Sequence, residues 1–214
     1  MHCTDPRRFN LLVTARLLLA SLAAITLCAC SGFQSSAPAV DGDRQLLTEN
    51  PYLHDAQRIP QQAQAAMALA HQSYMQKDFA AAESQLVQIT DTWPKLSGAW
   101  LNLGIVQQSD EKYADAEQSL RQAITANDNN IFAWNRLAAM LRDRGRFEDA
   151  EACYNAAIKR WPDYRDAHRN LGILYDLYLQ QPERALQHYQ AAQDADPEQD
   201  KLLNAWIVEL GRRL

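Results

Sequence analysis

A unit of 34 residues recurs four times in this 214-residue chain, and this period limits the fold more than any other feature. A small residue returns at intervals of 34, 34 and 35, at Ala82, Ala116, Ala150 and Ala185. One such unit is too short to bury its apolar face alone, so the copies have to stack on one another. The sequence therefore predicts a stacked repeat protein and not a single closed core.

Each half of the repeat has apolar residues at i, i+3 or i+4 and i+7, the spacing of an amphipathic helix. An aromatic residue stands three positions before the small residue in the first three copies, at Phe79, Tyr113 and Phe147. The fourth copy has Pro182 there, with one extra residue nearby. We expect each copy to be a pair of helices that approach most closely at the small residues.

The repeat resembles the tetratricopeptide repeat (TPR), a helix–turn–helix unit with the pattern W-x2-L-G-x2-Y…A-x3-F…P. Trp100, Leu103 and Gly104 match the start of the second copy, whereas His168 replaces the tryptophan in the fourth. The resemblance covers about residues 63–197. It implies an all-α fold, a right-handed superhelix (TPR solenoid) of four helical hairpins. The repeats are expected at 63–96, 97–130, 131–164 and 165–199.

Residues 200–214 predict one more helix, which covers the open end of the fourth repeat. The last repeat of a solenoid needs a cover with a polar outer face to stay soluble. Arg212 and Arg213 stand where cations stabilise a helix C-terminus. The residues expected on the buried face are Leu202, Leu203, Trp206, Ile207 and Leu210.

Residues 1–29 are typical of a bacterial lipoprotein signal peptide. Arginines precede an apolar run of about a dozen residues, shorter than the ~20 that a membrane-spanning helix needs. The run ends in Leu27-Cys28-Ala29-Cys30, which resembles a lipobox and makes Cys30 the lipidated N-terminus. Ser31 after the cysteine favours sorting to the outer membrane, with the protein facing the periplasm. The alternative is cleavage at an Ala-x-Ala-like site, which releases a soluble periplasmic protein.

Residues 30–62 predict a lipidated cysteine followed by a flexible tether, because Ser, Pro, Asp, Gln and Gly dominate the first half and no apolar period persists. In the alternative, part of this stretch packs on the first repeat as an N-terminal cap. The residues available for such a cap are Leu46, Leu47, Pro51, Tyr52 and Leu53.

Removal of residues 1–29 takes away three arginines and one aspartate, which changes the formal charge from −5 to −7. Binding of nucleic acid is not expected, because neutralisation of phosphates needs a basic face. Cys153 remains as the free thiol once Cys30 carries lipid, so no internal disulfide is expected.

Partners of TPR proteins usually lie in the concave groove that the first helices line, so the resemblance implies a binding site there. Asn102 and Asn170 are expected to bind a peptide backbone, and apolar residues to hold its side chains. A carboxylate clamp is not expected, because only Asn102 and Arg136 match its positions. The predicted groove residues are Met67, His71, Tyr74, Leu101, Asn102, Ile105, Phe132, Arg136, Arg169, Asn170 and Ile173.

The sequence has no glycine-rich phosphate loop, no nucleophile motif and no Cys/His ligand spacing. His168 and His188 belong to one hairpin and are expected to be a packed or solvated pair. We therefore expect no metal, no cofactor and no enzymatic activity.

The predicted function is a lipid-anchored scaffold that binds another envelope protein or peptide, for assembly of a machine such as a pilus or secretion system. Pilotins are lipoproteins of this general kind. The alternative is an adaptor or accessory subunit for peptidoglycan or other envelope-polymer enzymes. A homo-oligomer formed through the groove is a third hypothesis.

Overall fold

A computed structural model of the chain describes residues 48–54, 59–195 and 200–214, and no strand occurs among these residues. The predicted signal peptide, Cys30, Leu46 and Leu47 lie outside them. The helices are α1 (Pro51–His54), α2 (Gln61–Met75), α3 (Phe79–Thr92), α4 (Ser97–Ser109), α5 (Tyr113–Ala126), α6 (Ile131–Asp143), α7 (Phe147–Arg160), α8 (Arg165–Ile173), α9 (Pro182–Asp194) and α10 (Lys201–Arg213).

The helices from α2 to α9 pair into hairpins, α2 with α3, α4 with α5, α6 with α7 and α8 with α9. The second helix of each hairpin then packs on the first helix of the next, and α10 packs on α9. This arrangement is the predicted all-α solenoid, so the fold class is confirmed. None of the helices within the described ranges is long and apolar enough to cross a bilayer.

Small residues lie where the two helices of a hairpin cross. The repeated alanines are completely buried: Ala82, Ala116, Ala150 and Ala185. A Cβ added at Gly104 would lie 2.8 Å from Cγ of Leu120, and one at Gly172 would lie 2.5 Å from the ring of Tyr189. Side chains at these two glycines would push the paired helices apart, because interiors are packed to crystal-like density.

A ring N–H near the start of a first helix hydrogen-bonds a carbonyl in the preceding turn. Trp100 Nε1 donates to the Pro94 carbonyl at 2.9 Å, and Trp134 makes the equivalent bond in the third repeat. His168 places its Nε2 2.8 Å from the Pro162 carbonyl. A carbonyl oxygen only accepts, so Nε2 carries the proton and His168 makes the same bond as the tryptophans.

The turn inside each hairpin contains a residue in the left-handed region. The third repeat uses glycine there, which has no Cβ to clash in this conformation. The other three repeats hold a residue with a side chain in a less favourable backbone state. The residues and their φ angles are Lys77 (62°), Glu111 (61°), Gly145 (75°) and Gln180 (53°).

The extra residue of the fourth repeat is accommodated at the end of its first helix. α8 ends at Ile173, and the chain continues as a π-helical turn over Leu174–Tyr178. A π-turn admits one more residue without ending the helix. Ala185 therefore still reaches the helix crossing although its spacing is 35 instead of 34.

Ion pairs connect successive hairpins at a repeating position. Each glutamate follows a crossing alanine by one residue, and its partner comes from the next hairpin. All are partly exposed, so each contributes about 0.2–1 kcal/mol at most. The pairs are Lys112–Glu83 (2.6 Å), Arg146–Glu117 (2.7 Å) and Arg184–Glu151 (2.8 Å).

The helix α10 covers the end of the fourth repeat through one apolar stripe. Leu203 and Leu210 are buried, and the ring of Trp206 lies 5.6 Å from that of Tyr189. The Asp200 side chain caps the helix by accepting from the backbone N–H groups of residues 202 and 203. The prediction that Leu202 joins the buried face is wrong: it is 59% exposed, because it precedes Leu203 by one helical step of about 100°.

Residues 48–54, which we name the strap, lie against the repeats. The tether predicted for residues 30–62 is therefore not free over this stretch, and α2 already begins at Gln61. The alternative of a cap on the first repeat involves Leu46 and Leu47, which lie outside the described residues, while the strap itself packs mainly on later repeats. Tyr52 contacts Gly98 and Phe132 of the second and third repeats, while Leu53 remains 67% exposed.

Candidate functional site: the concave face

The predicted groove residues all lie on the first helices α2, α4, α6 and α8, whose surface we name the concave face. None of them is fully buried. His71, Asn102 and Phe132 are exposed, and the other eight are half-buried. Side chains of this kind are held in place by the repeat and still accessible to another molecule. Their role in binding remains a prediction.

At the N-terminal end of the concave face, Tyr74 bridges the first and second repeats. Its hydroxyl lies 3.3 Å from Ser109 Oγ, and its ring lies 5.8 Å from that of Phe79. Met67 lines a cavity of about 550 Å³ together with Tyr52 of the strap. The strap thus forms one wall of a cavity at this end of the face.

The two asparagines predicted to hold a peptide backbone are in different states. Asn102 is exposed and its side chain makes no hydrogen bond to another described residue. Asn170 donates from Nδ2 to Oδ1 of Asn135 at 3.1 Å, so its amide is already oriented. Asn135, one position before Arg136, was not predicted as a contact. The pair still offers the Asn135 N–H donors and the Asn170 carbonyl oxygen to a ligand.

Two arginines bring positive charge to the third and fourth repeats. Arg136 and Arg169 are half-buried, and the Nε atom of each is buried without a hydrogen-bond partner among the described residues. Buried polar atoms in proteins are usually paired. The Nε atoms are out of reach of a partner, but the positive charge of the two half-buried guanidinium groups suits carbonyl or carboxylate oxygens.

At the C-terminal end, Ile173 lines a second cavity, of about 300 Å³, between α8 and α10. Leu177 and Trp206 form other parts of its wall, and Leu177 is 67% exposed. The guanidinium of Arg213 lies 3.5 Å from the carboxylate of Asp176 at this cavity. The cavity combines an apolar floor with a charged rim.

An aromatic slot holds the ring of Tyr52, and we define it by Gly98, Phe132 and Tyr164. Phe132 meets Tyr52 and Tyr164 edge to face, with 5.8 Å between ring centroids in both contacts. A Cβ added at Gly98 would lie 3.2 Å from the Tyr52 hydroxyl, so the glycine leaves room for it. Burial raises the pKa of Tyr52, although the nearby Ser97 side chain opposes this shift. The phenol therefore stays protonated at neutral pH.

The polar end of the strap is bound to the turn between α7 and α8. The backbone N–H and the hydroxyl of Thr48 both donate to Oδ2 of Asp163, each at 2.6 Å. Trp161 Nε1 donates to the Thr48 carbonyl at 2.8 Å. Sequence reasoning did not find this contact. The one signal in the sequence was that the dipeptide Trp93-Pro94 recurs as Trp161-Pro162, and this recurrence does not indicate a contact with Thr48.

Three further titratable side chains lie within the repeats, His168 on the first helix α8 and Cys153 and His188 on the second helices α7 and α9. His168 and His188 are brought together as the sequence allowed, with 5.2 Å between ring centroids. Burial raises the pKa of the Cys153 thiol to about 11. Within the ranges that the structure describes, no group of three or more His, Cys, Asp and Glu side chains is placed to hold a metal ion.

The chain belongs to the tetratricopeptide repeat family. Two matches to this family cover residues 67–131 and 131–198, which together make up more than half of the chain. The TPR fold is that of a protein–protein interaction scaffold, and the partly exposed concave face agrees with this class.

Solved structures have the same fold. PilF of Pseudomonas aeruginosa superposes with a TM-score of 0.63 at 18% identity, covering 71% of this chain and 68% of that one. MamA (41-end) of Desulfovibrio magneticus RS-1 gives 0.59 at 19% identity, with 72% and 86% covered. A tetratricopeptide repeat protein of Parabacteroides merdae gives 0.60 at 21%, with 72% and 61% covered. At these identities the likeness establishes the fold alone.

A characterised relative is the peroxisomal targeting signal receptor of Kluyveromyces lactis, 29% identical over 91 residues. The match covers 42% of this chain and only 16% of the receptor. The similarity is therefore restricted to part of the repeats.

Proposed function

We propose that this protein is a non-enzymatic scaffold, anchored in the bacterial outer membrane by a lipid on Cys30, that binds another envelope protein on its concave face. The observation that carries the proposal is the row of partly exposed apolar and amide side chains on the first helices. Apolar positions such as Leu101, Ile105 and Ile173 accept side chains, while Asn102 and the Asn135–Asn170 pair bind backbone groups.

The partner class we favour is a subunit of an envelope machine such as a pilus or secretion system. The lipobox-like end of the signal sequence and Ser31 support the location. Several acyl chains on one cysteine give stable anchoring, where a single chain is marginal. A relative named as a receptor for a targeting signal supports recognition of a peptide segment by such repeats.

The lipid anchor is tested by Cys30→Ala. We expect this variant to move from the membrane pellet to the soluble fraction, with an unchanged melting temperature. Cys28→Ala is the matched control and should stay in the pellet, because Cys28 is not the residue to be acylated. Continued pelleting of Cys30→Ala contradicts the anchor and leaves the repeat fold untouched.

The partner and its surface are tested by crosslinking in cells, followed by affinity purification in detergent. We expect the double variant Asn102→Ala/Asn170→Ala to recover at least tenfold less partner than the wild type. The control is Gln122→Ala/Gln187→Ala, which changes two exposed amides on the second helices α5 and α9.

Secretin or other machine subunits in the wild-type sample support the proposal. Peptidoglycan enzymes in their place support the adaptor alternative, and recovery of no partner contradicts both. Equal recovery by the two double variants places the partner on another face.

A further inference from the structure

We infer that the aromatic slot and the Trp161–Asp163 turn form a binding site for an extended partner segment carrying Ser or Thr followed four residues later by Tyr. The strap is the built-in occupant of this site, and a partner segment displaces it. The inference rests on the proposed function only in that Phe132 of the concave face is part of both sites. It does not depend on the lipid anchor or on the cellular location.

The turn between α7 and α8 recognises one residue through three hydrogen bonds. Oδ2 of Asp163 accepts hydrogen bonds from both the backbone N–H and the hydroxyl of Thr48. The indole N–H of Trp161 can only donate a hydrogen bond, and it donates to the carbonyl of Thr48. This combination fits a residue that has a free backbone and a hydroxyl group, which is Ser or Thr.

The aromatic slot is built to accept a phenol and not only a ring. Ser97 and Asn130 lie below it, with 4% and 0% exposure. Asn130 Nδ2 donates to Ser97 Oγ at 2.6 Å, and Ser97 donates its own proton to the Ala123 carbonyl at 2.8 Å. Tyr52 and Ser97 line the same cavity, which gives a phenol hydroxyl in the slot a polar neighbour. Tyrosine is therefore preferred over phenylalanine.

A short turn sets the distance between the two ends of the strap. Asn50 Oδ1 accepts from the Tyr52 N–H at 2.9 Å, and the Asn50 carbonyl accepts from the Leu53 N–H at 3.1 Å. The turn starts α1 and directs the tyrosine into the slot, while Leu53 points into solvent at 67% exposure. The spacing of four residues follows from this turn.

The strap is suited to be displaced. Thr48 and Tyr52 are held by hydrogen bonds and by one ring contact, and Thr48 is itself exposed. A segment tethered to its own site competes at an effective concentration of about millimolar. A partner segment with the same chemistry has to overcome this competition, so loss of the strap contact raises its apparent affinity.

The test uses the full-length chain and a fluorescent peptide of its residues 46–56, LLTENPYLHDA. By fluorescence anisotropy we expect the peptide to bind the Tyr52→Ala chain at least tenfold more tightly than the wild type. The control Leu53→Ala changes the exposed neighbour and should behave like the wild type. Thr48→Ala is a second strap variant at an exposed position, and it should raise peptide affinity in the same direction.

Two further changes test the chemistry of the site. The same peptide with alanine in place of its tyrosine should bind the Tyr52→Ala chain at least tenfold more weakly. Asp163→Ala added to Tyr52→Ala should weaken binding of the unchanged peptide, because both bonds to the threonine are lost.

Three results overturn the inference. Equal peptide affinity for the wild type and both strap variants shows that the strap does not compete. Absence of binding to either strap variant at millimolar peptide shows that the slot is not a peptide site. Light scattering that finds a wild-type dimer, lost in Tyr52→Ala, assigns the slot to the strap of a second copy. None of these bears on partner capture through Asn102 and Asn170, which tests the proposed function separately.

Discussion

His168 and His188 face each other inside the fourth hairpin with their Nδ1 atoms 3.0 Å apart. The Nε2 proton of His168 is held by the Pro162 carbonyl, so its Nδ1 accepts and His188 Nδ1 donates. An additional proton on Nδ1 of His168 would place two N–H groups against each other. The pair is therefore stable in the neutral form of both rings.

The surroundings of the pair also disfavour a charge. Burial lowers the pKa of both histidines, that of His188 to about 4. Arg184 lowers the pKa of His188 further, and Glu151 partly opposes this. Tyr175 stacks on the His188 ring, 5.5 Å between centroids. Asp163 and the Pro162 carbonyl oppose the shift of His168 without reversing it.

We expect the free energy of unfolding to fall as the pH is lowered from 7.5 to 4.5. Histidines of the unfolded chain titrate near 6.5. The folded pKa values are lower, so the unfolded state binds more protons between about 6.5 and about 4. The contribution of the pair to the free energy of unfolding is present above pH 7 and is lost through this window. It amounts to about 1–2 kcal/mol after allowance for the partial exposure of the rings. Urea unfolding at both pH values measures it.

The control separates this pair from the carboxylates that titrate in the same range. His188→Gln keeps an N–H donor for His168 and removes one titrating ring, so the pH dependence should become weaker. His71→Gln makes the same substitution at an exposed histidine and is the matched control. Identical pH dependence in the wild type and His188→Gln contradicts the expectation.

The sequence predicts those parts of the fold that repeat. The alanines at the crossings and the tryptophans near the start of the first helices α4 and α6 recur at a fixed interval, so their packing follows from periodicity. The role of His168 is partly predictable, because it occupies the tryptophan position. Its pairing with His188 is not, since that residue has no equivalent in the other repeats. The exposed Leu202 shows a different limit of sequence analysis. The apolar stripe of α10 was predicted correctly, but one neighbouring leucine was assigned to it wrongly.

We expect Glu111→Gly to stabilise the protein by about 0.5–1 kcal/mol. Glu111 has φ 61° in an exposed turn. This left-handed backbone conformation costs about 1–2 kcal/mol for a residue with a Cβ. Glycine removes this cost but loses more backbone entropy on folding, which offsets part of the gain. Urea unfolding compares the variant with the wild type.

The matched change is Gly145→Ala at the same place in the third repeat. No atom lies within 4 Å of a Cβ added there, so the effect comes from φ 75° alone. We expect a loss of about 1 kcal/mol. Changes of the same sign in the two variants would show that the left-handed conformation does not control this turn.

We expect Cys153 to react with iodoacetamide at pH 8 about 100-fold more slowly in the folded chain than in the unfolded one. The thiolate is the reactive form, and burial raises the pKa of this thiol to about 11. The side chain is also only 7% exposed. Peptide mapping by mass spectrometry follows the reaction, with the urea-unfolded chain as the control. Equal rates in both samples would show that the helix α7 is not packed on this side.

The groove residues of the candidate site were predicted from the sequence, whereas the contact made by the strap was not. The eleven groove residues came from the repeat pattern, which places equivalent positions on one face. The strap contact joins Thr48 to Asp163, which are separated by 115 residues along the chain. No periodicity connects two such residues, and the composition around Thr48 is that of a linker. A contact of this kind depends on shape and on hydrogen-bond geometry, which only the folded chain provides.

We expect Ala150→Trp to lower the free energy of unfolding by several kcal/mol. Ala150 is completely buried where α6 and α7 cross, in a cluster with Leu137 and Leu141. Overpacking of a core typically costs about 1–3 kcal/mol, and an indole in place of a methyl group is an extreme case. For a chain of this size the melting temperature should drop by more than about 5 °C. The control Ala80→Trp adds the same ring at an exposed position of α3 and should melt close to the wild type. An unchanged melting curve for Ala150→Trp would mean that the paired helices do not meet at this residue, and the repeat register assigned to the chain would be wrong.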